Sequence, residues 1–176
     1  MLNIRLVCVG RLKEQFYTDA VNEYIKRLAG YCKPEIIEVP EHHIISDNPA
    51  RAKREIALEK ESAAIRRVLN THANNMYVKG EGNLPSSTLT IALCIEGREM
   101  DSEAFSEFLS ESAIKGTSRL CYIIGGSYGL HDSIKNEAVV KLSLSKMTYP
   151  HNLARVILLE QLYRAFKIIE GGKYHK

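Results

Sequence analysis

The sequence predicts an α/β fold: a single domain in which a mostly parallel sheet is flanked by helices. Short β-prone apolar runs alternate along the 176 residues with longer stretches that have helical apolar spacing. Strands that alternate with helices in this way favour crossover connections and parallel pairing. We find no internal repeat and no linker, and a chain of this length can bury a stable core without disulfides or metal ions. Residues 1–176 are therefore expected to form one domain.

The N-terminal half is predicted to contain two strands and two helices. An apolar run at residues 4–9, closed by Gly10, indicates a buried strand, and residues 12–29 then change to helical spacing. The second strand is predicted at residues 35–39, between two prolines. The second helix is predicted from residue 46 to about residue 69, because Ser-Asp-Asn-Pro at its start is typical of a capped first turn.

The C-terminal half is predicted to contain four strands, one of them short, and two helices. Residues 70–87 are polar and rich in glycine and proline, which predicts a long loop with a short strand at residues 76–78. The further strands are predicted at 89–95, 120–124 and 139–144, and the helices at 102–116 and 153–169. Gly171 is placed as the C-terminal stop of the last helix.

Charge and composition are those of an ordinary globular protein. Apolar residues make up 45% and charged residues 26% of the chain, and the formal net charge is +3. This mildly basic balance permits an RNA partner but does not by itself indicate one. Cations on the second predicted helix alternate with glutamates, which favours a solvated face over a stripe that binds nucleic acid.

Cysteine usage and hydropathy predict a reduced, cytoplasmic setting. The four cysteines form no CxxC pair and lie at no metal-ligand spacing from histidine, so we expect no metal site. The N-terminus is too short and too charged for a signal peptide, and no apolar run is long enough to span a bilayer. We therefore expect no membrane association.

A glycine-rich loop, GGSYG at residues 125–129, directly follows a predicted buried strand. Ligands of open α/β sheets bind at the carboxyl ends of the strands, and glycine lets a ligand approach the backbone closely. The loop is neither a Walker motif nor a GxGxxG fingerprint, because the required lysine and the glycine spacing are absent. A tight turn between strand and helix remains the alternative for this loop.

The segment before the last helix is the second candidate. Pro150 disfavours helical geometry at Tyr149, so residues 144–149 are expected to be extended or turned, with backbone groups free to bind a polar ligand. His151 follows on the first turn of the helix, where the helix dipole would lower its pKa. A capping or packing role is the alternative for His151, and a frayed tail is the alternative for the terminal Tyr-His-Lys.

Together these segments resemble a known family. The sequence pieces are VGRLKE at 9–14, EYIKRL at 23–28, IEVP at 37–40, IIGGSYGL at 123–130, LSKMTYPH at 144–151, LYRAF at 162–166 and YHK at 174–176. In this order they resemble the SPOUT class of RNA methyltransferases, specifically the ribosomal RNA large subunit methyltransferase H family. Residues 70–87 depart from the pattern, because this connection is longer than is usual in the family.

The resemblance implies a C-terminal trefoil knot, a homodimer and bound S-adenosylmethionine. It also implies methylation of N3 of a pseudouridine in bacterial large-subunit (23S) ribosomal RNA, within the ribosome. Three loops of the knot would hold the cofactor, and they correspond here to Leu93, Gly125, Leu144, Ser145, Lys146, Met147, Thr148 and Tyr149.

The catalytic residues that the resemblance implies are His151, Arg164, Tyr174 and His175. Methyl transfer to an imide nitrogen requires removal of its proton, so we expect a base among the two histidines and the tyrosine. Arg164 would hold negative charge or phosphate. Two alternatives remain: a non-catalytic RNA-binding or ribosome-assembly factor that retains the fold, and a flavodoxin-like domain that binds another nucleotide.

Overall fold

The computed structural model describes residues 1–44, 50–71 and 88–172, which form a five-stranded sheet covered by helices on both faces. The strands are β1 (Asn3–Val9), β2 (Lys33–Val39), β3 (Thr88–Glu99), β4 (Arg119–Ile124) and β5 (Val140–Ser143). The helices are α1 (Gln15–Leu28), α2 (Arg51–Thr71), α3 (Ser102–Ile114), α4 (Asp132–Glu137) and α5 (His151–Ile169).

The sheet has the strand order β2-β1-β4-β3-β5, and every neighbouring pair is parallel. The predicted fold class, an α/β domain with a parallel sheet, is confirmed. All five strands therefore end at the same edge, which we call the carboxyl edge. The C-terminal trefoil knot stays a prediction.

Two apolar clusters cover the two faces of the sheet. Ile4, Leu6 and Cys8 of β1 pack on the side of α1, α3 and α5, whereas Val7 and Val9 pack on the side of α2 and α4. This division follows from the two-residue period of a strand. Because both faces are covered, β1 is buried along almost its whole length.

Strand β3 is longer than the sequence predicts and is irregular. It continues to Glu99, and its register against β5 shifts between Leu93 and Arg98, both of which pair with Leu142. Gly97 lies in this bulge, where a Cβ atom would come within 2.5 Å of the Leu142 carbonyl carbon. The extension carries exposed polar side chains, so it lacks the apolar run by which the prediction located the strand.

Two other differences concern short helical segments. Helix α4 was not predicted; it has only six residues, too few for a periodic pattern, and His131 caps it by accepting a hydrogen bond from the backbone N–H of Ser133. Helix α5 begins at His151 rather than residue 153, directly after Pro150. Gly171 has a φ of +75°, which confirms it as the C-terminal stop.

Part of the prediction falls outside the described residues. This holds for the start of the second helix at 46–49, the strand at 76–78 and most of the loop at 70–87. None of the described helices is long and apolar enough to cross a membrane. The four cysteines are free, and the described residues contain no metal-binding group of three histidine, cysteine or acidic side chains.

Candidate functional site

A cavity of approximately 500 Å³ opens at the carboxyl edge of β3, β4 and β5. It is lined by residues 93–96 within β3, the glycine loop, the segment between β5 and α5, and the start of α5. Its position agrees with the rule for ligand sites in open α/β sheets, and its volume lies in the range of small-molecule pockets. The residues of the cofactor prediction that line it are Leu93, Gly125, Leu144, Ser145, Met147, Thr148 and Tyr149. Lys146 is exposed and does not line it.

The glycine loop closes on itself. A Cβ atom on Gly125 would lie 2.2 Å from the carbonyl oxygen of Gly129, and Gly129 itself has a φ of +77°. The backbone N–H of Gly129 donates to the carbonyl of Gly126 over 3.0 Å. The space beside Gly125, which the sequence analysis assigned to a ligand, is thus taken by the backbone of the loop. The glycine allows the turn that forms one wall of the cavity.

The segment between β5 and α5 is irregular, as predicted, and Ser145 organises it. The backbone N–H of Met147 donates to the Ser145 hydroxyl over 3.0 Å, and the Ser143 hydroxyl donates to the Ser145 carbonyl. Residues 144–150 belong to neither helix nor strand. Their backbone is therefore outside the sheet ladders at the point where it borders the cavity.

His151 begins α5 and lines the cavity with its half-buried side chain. Burial lowers the pKa of the imidazole, and the nearby Arg155 guanidinium acts in the same direction. The Glu41 and Glu14 carboxylates oppose this shift. The direction agrees with the sequence analysis, and burial is the largest of these causes. At neutral pH the imidazole is held in its neutral form, which accepts a proton.

Sequence reasoning missed Arg155 of α5, whose side chain is fully buried. Its guanidinium donates to the carbonyls of Val9 and Gly10 over 2.9 and 2.8 Å, and to Glu38 Oε1 over 2.9 Å. These contacts fix the carboxyl end of β1 against α5. The available signal was an arginine inside the otherwise apolar run at residues 153–159, which indicates a buried and paired group.

Sequence reasoning also missed Glu41, which lies two residues after β2. Its Oε1 atom accepts hydrogen bonds from the backbone N–H and the hydroxyl of Ser127. The available signal was a carboxylate at the end of a parallel strand, a position that commonly contributes to ligand sites.

Aromatic and cationic groups surround the mouth of the cavity. The half-exposed Tyr128 ring has the Arg54 guanidinium 6.0 Å from its centroid, and both residues line the cavity. Lys135 also lines it and pairs with Glu96 and Asp132. The mouth therefore combines a flat ring with positive charge, features that suit a nucleotide.

The remaining predicted catalytic residues do not meet His151 within the described chain. Arg164 lies 13 residues further along α5, which corresponds to about 20 Å of helix, and it pairs with Glu160 over 2.6 Å. It does not line the cavity. Tyr174 and His175 lie outside the described residues.

Sequence comparison places this chain beside a group of methyltransferases. A family model described as predicted SPOUT methyltransferase matches residues 2–175. A protein of Clostridium kluyveri named ribosomal RNA large subunit methyltransferase H is 42% identical over 175 residues, which covers 99% of this chain and 100% of the relative. A Streptococcus uberis protein of the same name is 40% identical over the same coverage.

Structural comparison finds the same fold at low sequence identity. A probable methyltransferase from Bordetella pertussis superposes with a TM-score of 0.54 at 12% identity, covering 94% of this chain and 95% of that protein. A probable methylase family protein from Haemophilus influenzae gives 0.52 at 12% identity, with coverage of 99% and 71%. These likenesses concern the fold.

Proposed function

The chain belongs to the SPOUT methyltransferase family, and from this premise we propose that it methylates N3 of a pseudouridine in 23S ribosomal RNA, with S-adenosylmethionine as the donor. The observation that carries the proposal is the cavity, which brings together seven of the eight predicted cofactor residues from three separate segments. The relatives named ribosomal RNA large subunit methyltransferase H, similar over the whole chain, support the RNA substrate.

The residues at the cavity fit S-adenosylmethionine. The volume of approximately 500 Å³ suits a nucleoside with an amino-acid tail, and the wall of the cavity at Gly125 and Gly126 is backbone without side chains. When bound, S-adenosylmethionine supplies an electrophilic methyl group on a sulfonium. Leu93, Gly125 and the irregular segment at 144–149 would hold it, the segment through backbone groups that no sheet ladder uses.

Proton removal is the second requirement of the reaction. N3 of pseudouridine is an imide nitrogen, and its proton must leave before or during attack on the methyl group. His151 supports this step, because burial keeps its imidazole neutral at the cavity. Tyr174 and His175 are the other candidates for the base. Arg164 would hold the developing negative charge or an RNA phosphate.

We propose that the active form is a cytoplasmic homodimer, with residues 1–176 acting as one domain. One reason is that Arg164 lies about 20 Å along α5 from His151, so a single chain cannot bring both to one base. Another is that α5 keeps apolar side chains incompletely covered: Leu153, Ile157 and Ile168 are partly buried and Ile169 is exposed. A second copy would cover this face and supply Arg164 and the C-terminal tail.

Sedimentation tests the dimer directly. At micromolar concentration the protein is expected to sediment as a dimer, because the apolar face of α5 would otherwise remain in water. Ile157→Asp should shift it toward the monomer by placing a charge in that face. A monomeric wild-type protein at this concentration would contradict the proposal.

Removal of residues 174–176 tests the catalytic tail. Single-turnover methylation of ribosomes is expected to fall about a hundredfold or more, because the tail carries two of the candidate proton acceptors. Cofactor affinity by calorimetry and the dimer by sedimentation should stay unchanged. Removal of Lys176 alone is the control and should have little effect. Near-normal turnover by the three-residue truncation would contradict a catalytic role of the tail and favour the alternative, a frayed end.

The substrate is tested by mass mapping of nucleosides in ribosomal RNA from cells with and without this chain. One methylated pseudouridine is expected to disappear from 23S RNA when the chain is absent and to return when it is restored. Purified protein that binds ribosomes and S-adenosylmethionine without transferring a methyl group would favour the assembly-factor alternative instead.

A further inference from the structure

Glu41 is a carboxylate whose position the proposed reaction does not yet explain. Its side chain is only 12% exposed, although it stands on the segment after β2 and does not line the cavity. Its Oε1 atom accepts the Ser127 backbone N–H over 3.0 Å and the Ser127 hydroxyl over 2.6 Å. These two bonds join the glycine loop to a segment 86 residues earlier in the chain.

Two glycines make room for this carboxylate. A Cβ atom on Gly126 would lie 3.0 Å from Glu41 Oε1, and a Cβ atom on Gly10 would lie 3.2 Å from Oε2. Gly10 follows β1 and Gly126 follows β4, neighbouring strands of the sheet. The carboxylate thus fits between two strand ends where side chains would crowd it. The close packing of the Glu41 carboxylate against Gly10 and Gly126 makes it part of the structure of the carboxyl edge.

The same carboxylate is close to His151. Glu41 Oε2 and His151 Nε2 lie 3.2 and 3.5 Å from one point, the Cβ position of Gly10. The other charges that act on the imidazole are Glu14 at the start of α1 and Arg155 on α5. Glu41 itself is faced by His43, whose Nδ1 atom lies 3.9 Å from Oε2, and by the buried Glu61 of α2.

We propose that Glu41 is a positioning residue of the methyl-transfer site: its carboxylate anchors the glycine loop through Ser127, and its negative charge sets the protonation equilibrium of His151. The inference rests on the proposed function for its catalytic meaning, but both of its parts concern this chain alone. Glu41 acts through Ser127 and His151 and does not touch the transferred group.

The sign of the electrostatic part follows from the charges. Burial lowers the pKa of His151, while the negative charges of Glu41 and Glu14 raise it. Burial raises the pKa of Glu41, but the two Ser127 hydrogen bonds together with His151 and His43 hold the pKa below its ordinary value, so Glu41 remains ionised at neutral pH. Neutralising Glu41 must therefore lower the pKa of His151 further. If His151 is the base, the acidic limb of the activity profile moves to lower pH with it.

A histidine titration by NMR on the full-length protein, without cofactor or RNA, tests this part. Glu41→Gln keeps an acceptor for Ser127 but removes the charge, so His151 is expected to titrate at lower pH than in wild type. Glu14→Gln should act in the same direction. Glu107→Gln, an exposed change on α3, is the matched control and should leave the titration unchanged. An unchanged His151 titration in Glu41→Gln overturns the electrostatic part.

Calorimetry with S-adenosylmethionine tests the anchoring part. Glu41→Ala removes both charge-assisted hydrogen bonds and Ser127→Ala removes the one from the hydroxyl. Each is expected to weaken cofactor affinity about tenfold. Glu41→Gln and Glu14→Gln should retain affinity within about threefold, because the acceptor is kept in the first and Ser127 is untouched in the second. Wild-type affinity in both Glu41→Ala and Ser127→Ala overturns the anchoring part.

The proposed function and the proposed role of Glu41 can be contradicted independently of each other. Neither the titration nor the calorimetry uses RNA or turnover, so the absence of methyl transfer to ribosomes counts against the proposed function alone. If Glu41→Ala does not fold, the titration of Glu41→Gln and the affinity of Ser127→Ala still decide. The pH profile of methyl transfer connects the two proposals. A shift of the acidic limb to lower pH in Glu41→Gln, with no shift in Ser127→Ala, supports a role of the Glu41 charge in the proposed reaction.

Discussion

Gly125→Ala is expected to weaken binding of S-adenosylmethionine at least a hundredfold. The added Cβ atom would lie 2.2 Å from the carbonyl oxygen and 2.3 Å from the carbonyl carbon of Gly129. These are backbone atoms of the same loop and have no alternative rotamer. The turn must open to admit the methyl group, and the cavity then loses the wall that the loop forms. Calorimetric titration of the folded variant measures the loss.

A matched glycine substitution separates this effect from ordinary destabilisation. Gly116, at the end of α3, has a φ of +88°, and a Cβ atom there meets nothing within 4 Å. Gly116→Ala is expected to destabilise the fold by about 1 kcal/mol through backbone strain, with wild-type cofactor affinity. Wild-type affinity in a folded Gly125→Ala variant would contradict the role assigned to the loop.

Most of the sheet could be predicted from the sequence because its strands are short apolar runs between helices. The predicted strand at 120–124 corresponds to β4, and strands β1 and β2 were also found within two residues at each end. The last four residues of β3, 96–99, could not be found this way, since their polar side chains give no apolar signal. Its position depends on the close approach of Gly97 to Leu142, a contact between segments 45 residues apart.

The candidate site was also only partly predictable from the sequence. Gly125 and the segment at 144–149 follow strands, so the geometry of a parallel sheet brings them to one edge. Leu93 lies within β3, where the register against β5 shifts. Glu41 and Arg155 have hydrogen-bond partners 86 and 146 residues away along the chain. Their pairing depends on the order of strands in the sheet, which local patterns do not specify. The resemblance to a family identified candidate site residues, whereas the contacts of Glu41 and Arg155 were found only in the structure.

Arg155→Ala is expected to destabilise the fold by about 3 kcal/mol, the lower end of the range for breaking a buried charged network. The buried carbonyls of Val9 and Gly10 would lose their donor. Glu38 would lose its ion-pair partner, but it keeps the hydrogen bond from the backbone N–H of Leu12 and is 32% exposed to water, which limits the loss. For a chain of this length the change corresponds to a melting temperature lower by roughly 10 °C.

Two further variants identify the cause of this loss. Arg155→Lys retains the charge but not the planar fork that reaches Glu38 and both carbonyls, so it should fall between wild type and alanine. Lys115→Ala breaks the exposed pair with Glu111 and should leave the melting temperature unchanged. A melting temperature of Arg155→Ala within about 2 °C of wild type would contradict the assignment. Because Arg155 fixes Gly10 where Glu41 and His151 approach it, the lysine variant should also bind S-adenosylmethionine more weakly than wild type.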